Sequence, residues 1–468
     1  MKLKLKLSLL LAFLIFPAVS PRAQTPSQVQ SWLTTVDRTA LFARQAALPF
    51  SESKPQLIAI DVNHQQRFQP IDGFGVALTG GSAELLMRMA SDRRATLLRE
   101  LFATNDNDIG ISYLRVTIGA SDMNSRVYSY DDLPEGATDV DLAKFSLDPD
   151  RGDVIPVLKQ ILAINPNLQI LGSPWSAPAW MKTNDNSKGG NLKPEYYDAY
   201  AKYFVKYIEG MKAEGIPIAA ITVQNEPLNP KNTPSMVMFA KEQDEFIKDH
   251  LGPAFQKAGI QTKILLYDHN PDVPSYPLSI LKDPEAAKYV AGTAFHLYGG
   301  PSSVLTQVHD AFPAKAIYFT EQSVTEPRGA TTIDIAEPVS GVLIGATRNW
   351  SRNVLLWNLA ADPNNGPHTN NGGCTECRGA ITLDGNEVAR NVAFYALAHF
   401  SKFVPPGSVR IGSNDSEQLA NVAFLTPDGR MVLVVSNTGN FPKTFDVRYR
   451  GKAVTATLPA ESVATYIW

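Results

Sequence analysis

From residue 72 onward, short aliphatic or β-branched runs alternate with amphipathic stretches, and this rhythm narrows the possible folds more than any other feature. The runs are GFGVAL (73–78), ISYLRVTI (111–118), LQILGSP (168–174), IAAITVQ (218–224), TKILLYD (262–268), GTAFHLY (292–298), KAIYFT (315–320) and NVLLWNL (353–359). A strand that is apolar on both faces needs cover on both, which a parallel sheet flanked by helices provides. The helical pattern is clearest after the third run. There Tyr197, Tyr200, Phe204, Ile208 and Met211 recur three or four residues apart, a single stripe on one helix. Eight strand–helix units predict an α/β chain with a closed (β/α)8 TIM barrel over 72–401. The link around 120–150 reads as a long loop.

Both flanks lack that rhythm. VAFLT and MVLVVSN bracket Pro427-Asp428-Gly429, a turn sequence suited to a hairpin, and FDVRYRG and SVATYIW continue as strands. Before the barrel, LIAIDV (57–62) is a further strand candidate. A lone strand would leave an unpaired edge, so segments 24–71 and 402–468 predict one discontinuous β-sandwich built from both ends. Residues 1–23 read as a signal peptide. Lys2, Lys4 and Lys6 precede the ten-residue apolar run LSLLLAFLIF, and Pro17 and small residues follow. Ten residues are too few for a membrane-spanning helix, which needs about 20, so stable membrane insertion is not expected. The expected location is secreted or periplasmic. Cleavage after Ala23 removes Lys2, Lys4, Lys6 and Arg22, taking the net charge from −3 to −7. With no internal basic run, a nucleic-acid partner is not expected.

Active sites of (β/α)8 barrels lie at the C-terminal ends of the strands. The residues at those ends are Asp122, Trp175, Asn225-Glu226-Pro227, Asp268-His269-Asn270, His296 with Tyr298, Thr320-Glu321 and Trp357-Asn358. Carboxylates, amides and large aromatics converge on one rim. The seven histidines are scattered, so the pattern gives no metal centre. Glu226 and Glu321 follow nearly uncharged strands, and a buried carboxylate is costly without partners. A rim salt bridge explains either one alone. Glycoside hydrolysis explains both: one carboxyl protonates the leaving oxygen while the other attacks the anomeric carbon. Trp175, Trp180 and Trp357 suit the apolar faces of sugars, although core packing is the alternative for Trp175 and Trp357. Asp122 could instead cap a turn, and His296 could be a satisfied core histidine.

The chain resembles glycoside hydrolase family 30, the glucosylceramidase-like retaining β-glycosidases, over nearly all of its length beyond the signal. The resemblance rests on IDGFG (71–75), YLRVTIGASDM (113–123), GSPWSAPAWMKTN (172–184), VQNEP (223–227), FTEQS (319–323), WNLA (357–360) and HFSKFVPPGS (399–408). It implies a (β/α)8 barrel with a β-sandwich, no cofactor, and a β-glucoside or β-glucan as substrate. By the same resemblance Glu226 is the acid/base and Glu321 the nucleophile. Asn225 would hold the 2-hydroxyl. Asp122, Trp175 and Trp357 would bind the nonreducing-end glucose, with Arg115, His296 and Tyr298 supporting Glu321. The charge of Glu321 is then expected to raise the pKa of Glu226.

Several positions depart from the animal glucosylceramidases. Thr79-Gly80-Gly81 stands where they carry Thr-Asp, Met123 where they have Phe, and Leu297 and Leu356 where they have Trp and Asp. The insert GPHTNNGGCTECRGAITL (366–383) is more similar to the microbial β-1,6-glucanase branch. A secreted β-1,6-glucanase or β-glucosidase is therefore the expected activity, with glucosylceramide hydrolysis or a non-catalytic carbohydrate-binding role as alternatives. Cys374 and Cys377 most simply form a local disulfide in an exported protein. A redox pair, or a metal site completed by His368, is the lesser reading.

Overall fold

The computed structural model describes residues 28–52, 58–105, 107–327, 329–416 and 418–468. The expected signal peptide, residues 1–23, lies outside them. Eight parallel strands close into a barrel: β1 (Gly73–Leu78), β2 (Tyr113–Ile118), β3 (Gln169–Pro174), β4 (Ala220–Thr222), β5 (Lys263–His269), β6 (Val290–His296), β7 (Ala316–Glu321) and β8 (Ser351–Leu356). Pairing of Asn353–Leu356 with Gly73–Val76 closes the ring. Each of the eight apolar runs supplies one strand. The helix Tyr197–Ala213 buries its predicted stripe against the barrel. Between Gly119 and Leu147 there is neither helix nor strand. The tip of β1 packs tightly on the tip of β2. A Cβ on Gly81 would lie 2.4 Å from the Met123 carbonyl oxygen, an approach only glycine allows.

The second sheet runs through Gln28–Thr34, Ser462–Ile467, Met431–Asn437, Ala420–Leu425, Val409–Ser413, Ala59–Pro70, Lys443–Tyr449 and Lys452–Leu458. The long strand Ala59–Pro70 turns the corner: it pairs antiparallel with Val409–Ser413 and parallel with Lys443–Tyr449. Val29, Ile60, Leu433, Val435, Phe445, Val447 and Tyr466 fill the space inside. The Pro427-Asp428-Gly429 segment turns a hairpin, with Gly429 at φ +87°. Between sheet and barrel lies the helix Val392–Ser401, buried on every side because both bodies cover it. On this helix His399 accepts or donates to Thr34 and Thr465, one from each end of the chain.

Candidate active site

Side chains on a strand alternate between faces, so inward residues recur every second position. In the barrel interior Tyr113, Leu171, Ala220, Leu265, Ala294, Tyr318 and Leu355, one from each of β2 to β8, pack into an apolar plug. Two residues further along stand Arg115, Ser173, Thr222, His296, Thr320 and Trp357. Strand β5 breaks the count. Tyr267 and Asp268 take left-handed φ of 73° and 64°, and pairing with β6 skips Asp268. This bulge turns Asp268 into the interior in place of the expected Tyr267.

Asp268 becomes the hub of the upper layer. It accepts from Arg115 Nη2 (2.7 Å), Thr222 Oγ1 (2.7 Å), Thr320 Oγ1 (2.6 Å) and Ser173 Oγ (3.3 Å), and it bonds His296 Nε2 (3.1 Å). Arg115 in turn donates to Glu321 Oε2 and to Asn225 Oδ1 (2.8 Å). The other Glu321 oxygen accepts from the Tyr298 hydroxyl (3.0 Å). Tyr298 is partly exposed, and its hydroxyl reaches in to Glu321. Glu226, held at a left-handed φ of 43°, is bound by Asn229 Nδ2 (2.7 Å) and His296 Nδ1 (3.2 Å). Such backbone strain is maintained only where surrounding structure enforces it. Here the Glu226 N–H donates to the Asp268 carbonyl and its own carbonyl accepts from Asn229.

The hydrogen bonds of His296 go to Glu226 and Asp268, because the β5 bulge puts a carboxylate beneath the imidazole, and His296 acts on Glu321 through its charge and not through a hydrogen bond. The electrostatics change with it. Burial disfavours the imidazolium, yet Glu321, Asp268 and Glu226 together raise His296 to about 9. Burial pushes Glu226 upward, but the bond to His296 and its charge outweigh this and hold the carboxyl down at about 2. The expected rise from Glu321 is thus overturned by the cation beside it. Burial raises Glu321 itself, offset only in part by His296 and Arg115. Burial, then the charges of Glu321 and Glu226, pushes Asp122 up to about 8.

These groups face a cavity of about 650 Å³ lined by Asp122, Glu226, Tyr298, Glu321 and Trp357. Trp175 stacks behind Trp357 (5.4 Å, 29°) and Arg115 lies over its ring at 4.7 Å, so Trp175 backs the wall more than it forms it. Trp180 is absent from the site. Its indole N–H donates to Asp131, and the ring packs in the core against Tyr196. Cys374 and Cys377 are disulfide-bonded and line the cavity beside Trp357. Glu226, His296 and Glu321 offer ligand atoms within 4.8 Å of one another, the one such cluster among the described residues. Arg115, Tyr298 and Asn229 already serve their oxygens, so protein groups meet the needs a metal would meet. Sequence reasoning placed Asp268 at a strand end but gave it no role, and it missed Asn229. The Ser173, Thr222 and Thr320 hydroxyls, all at inward positions, were the available signal for a buried anion.

The glycosyl hydrolase family 30 TIM-barrel domain matches residues 71–404 and the family's β-sandwich domain matches 407–466. The chain belongs to glycosyl hydrolase family 30. It is a glycoside hydrolase with the barrel and sandwich of that family. Endo-1,6-beta-D-glucanase neg1 of Aspergillus fumigatus is 35% identical over 450 residues, 90% of this chain and 89% of that protein. Lysosomal acid glucosylceramidase of Mus musculus is 30% identical, covering 88% and 83% respectively. Among solved structures, the endo-beta1,6-glucanase BT3312 superposes with a TM-score of 0.87 at 35% identity, over 94% of this chain and 99% of the other. No helix of the described residues is long and apolar enough to cross a membrane.

Proposed function

We propose that this family 30 enzyme is an exported retaining β-glycosidase acting on β-1,6-linked glucan, with Glu321 as nucleophile and Glu226 as acid/base. One observation carries the mechanism. One oxygen of each carboxyl lies within 4.8 Å of an oxygen of the other, an approach closer to the carboxyl spacing of about 5–5.5 Å for retention than to the roughly 6.5–9.5 Å of inversion. Arg115 and Tyr298 donate to Glu321 and favour its anion, the attacking form.

The acid's proton comes from a shared pair. In the open site the proton rests on His296 and Glu226 is anionic. Moving it across the 3.2 Å hydrogen bond gives neutral imidazole and neutral acid. A sugar that expels water from the cavity favours the uncharged pair, because separated charges lose their hydration. Glu226 then protonates the glycosidic oxygen as Glu321 attacks C1, and the alcohol leaves. Water, deprotonated by Glu226, displaces Glu321 from C1 and releases the β-anomer. The balance closes with substrate, water and these side chains, and needs no cofactor. Asn225, its oxygen held by Arg115, would donate its NH₂ to the 2-hydroxyl. Asp122 would bind the glucose hydroxyls from an unpartnered Oδ1, and Trp357, backed by Trp175, would stack on the ring.

For the substrate, the endo-1,6-β-glucanase relatives and the cavity lining agree. The cavity that holds Glu226 is also lined by Asn229, Lys231, Asn232, Asn270 and Glu376, beside Leu228 and Pro230, and these polar groups suit a hydroxylated leaving group. Export rests on residues 1–23. Purified enzyme offered β-1,6-glucan, gentiobiose and glucosylceramide should release glucose or gentio-oligosaccharides from the first two. Hydrolysis of glucosylceramide alone would overturn the substrate assignment, and binding of all three without turnover would support the non-catalytic reading. N-terminal sequencing of material recovered outside the cytoplasm should begin at or near Gln24.

A further inference from the structure

The loop after β8 crosses the barrel mouth and is tied down at both ends. Thr369 N donates to the Asp122 carbonyl (2.9 Å), Thr233 N donates to the Gly372 carbonyl (3.2 Å), and Lys188 Nζ donates to the Asn371 carbonyl (2.7 Å). On the return, Ala380 N donates to the Asn358 carbonyl (3.0 Å). Between these anchors the Cys374-Thr375-Glu376-Cys377 segment is nearly free of such ties. Among the described residues its backbone takes one hydrogen bond, from Asn365 Nδ2 to the Thr375 carbonyl. Yet both cysteines pack on the apolar group of Ala77, Met123, Trp175 and Trp357, and Cys374, Glu376 and Cys377 line the cavity with Glu226 and Glu321. Cys377 Sγ also lies 3.9 Å from Ser323 Oγ, whose backbone N–H donates to the Tyr298 hydroxyl that binds Glu321.

We infer that the Cys374–Cys377 disulfide is a positioning element of the substrate site: it holds this segment as a wall against Trp357 and so fixes the indole face on which the sugar lies. Three observations support this. The segment has almost no other restraint, its cysteines pack on the apolar group that holds the tryptophan pair, and it borders the same cavity as the two carboxyls. A disulfide spanning so short a loop removes little chain entropy from the unfolded state compared with a long one. Its value therefore lies in local geometry more than in global stability. The inference rests on the reading of the cavity as a β-glucoside site.

The test compares oxidised enzyme, enzyme reduced by a phosphine under native conditions, and the Cys374→Ser/Cys377→Ser variant. Reduction takes two electrons from the phosphine, breaks the S–S bond and leaves two thiols, which a thiol titration counts. KM for gentio-oligosaccharides and the Kd of a glucose-configured iminosugar should both rise about fivefold, with kcat within about twofold, because binding is lost more than transition-state contact. The melting temperature should move little. Indole emission should increase on reduction, since a disulfide in contact quenches it, and this change should vanish in Trp357→Phe. Reoxidation should restore all three properties. If oxidised enzyme binds the iminosugar and the reduced form, with two thiols counted, binds it equally, the inference is overturned. If the oxidised enzyme neither binds the iminosugar nor cleaves β-glucoside, the functional reading fails instead. Unchanged emission on reduction would then overturn the tryptophan contact as well.

Discussion

Tyr113 and Arg115 leave the same strand toward the same interior, one rung apart, and they belong to different chemistries. Tyr113 joins the apolar plug with Leu171, Leu265, Tyr318 and Leu355. Arg115 joins a layer of charges with Asp268, His296, Glu226 and Glu321. Both layers are buried, so burial alone does not separate them; partners do. The plug is stabilised by removing carbon from water. Every ion of the upper layer depends on another ion, and replacing such an arrangement by carbon is often neutral for stability. A layer that stability does not require, placed under the open mouth of a barrel, points to chemistry.

The largest effect that separates the layers should come from Glu321→Gln. Turnover should fall on the order of 10⁴-fold with the fold intact. A circular-dichroism melt matching the parent would confirm that chemistry alone was lost, and retained turnover would break the comparison. Next is Asp268→Ala, which strands Arg115 and His296 without their shared anion. It should cost roughly 3–5 kcal/mol in denaturant unfolding, the penalty for an uncompensated buried charge, and turnover should fall as well. Leu265→Ala makes the opposite change one layer below. It should cost about 2–5 kcal/mol of stability while leaving kcat of the folded fraction near the parent value.

The smallest effect is in the pH profile. Glu321 must be ionised, so activity should be lost as pH falls through its raised pKa, above the ordinary carboxylate value. The Glu226–His296 pair must hold one proton, so activity should be lost again as pH rises toward about 9. In His296→Gln the proton is held by Glu226 without the imidazole store. The alkaline limb should then move down by at least about one pH unit, about 1.4 kcal/mol. An unmoved limb would sever His296 from the proton path.

The barrel was legible in the sequence because eight apolar runs alternate with helices, and the rim residues followed from where those runs end. What escaped is what depends on exceptions to the period. Asp268 faces inward only because two residues of β5 adopt left-handed φ, which no local propensity announces. The hydrogen bonds of His296 to Asp268 and Glu226 escaped for the same reason. Trp180 looked like its neighbour Trp175, but a short helical turn at Ala179–Met181 directs it into the core. In the sandwich, Gln28–Thr34 went unread as a strand because its partner, Ser462–Ile467, lies at the other end of the chain. Lys452–Leu458 was likewise passed over, its alternation diluted by small residues and threonines.

Double displacement by Glu226 and Glu321 fixes the configuration of the first product as retained. Proton NMR of the products formed in the first minutes from gentio-oligosaccharides tests it directly, before mutarotation mixes the anomers. The β-anomer should appear first and the α-anomer grow in later; an α-anomer formed first would contradict double displacement.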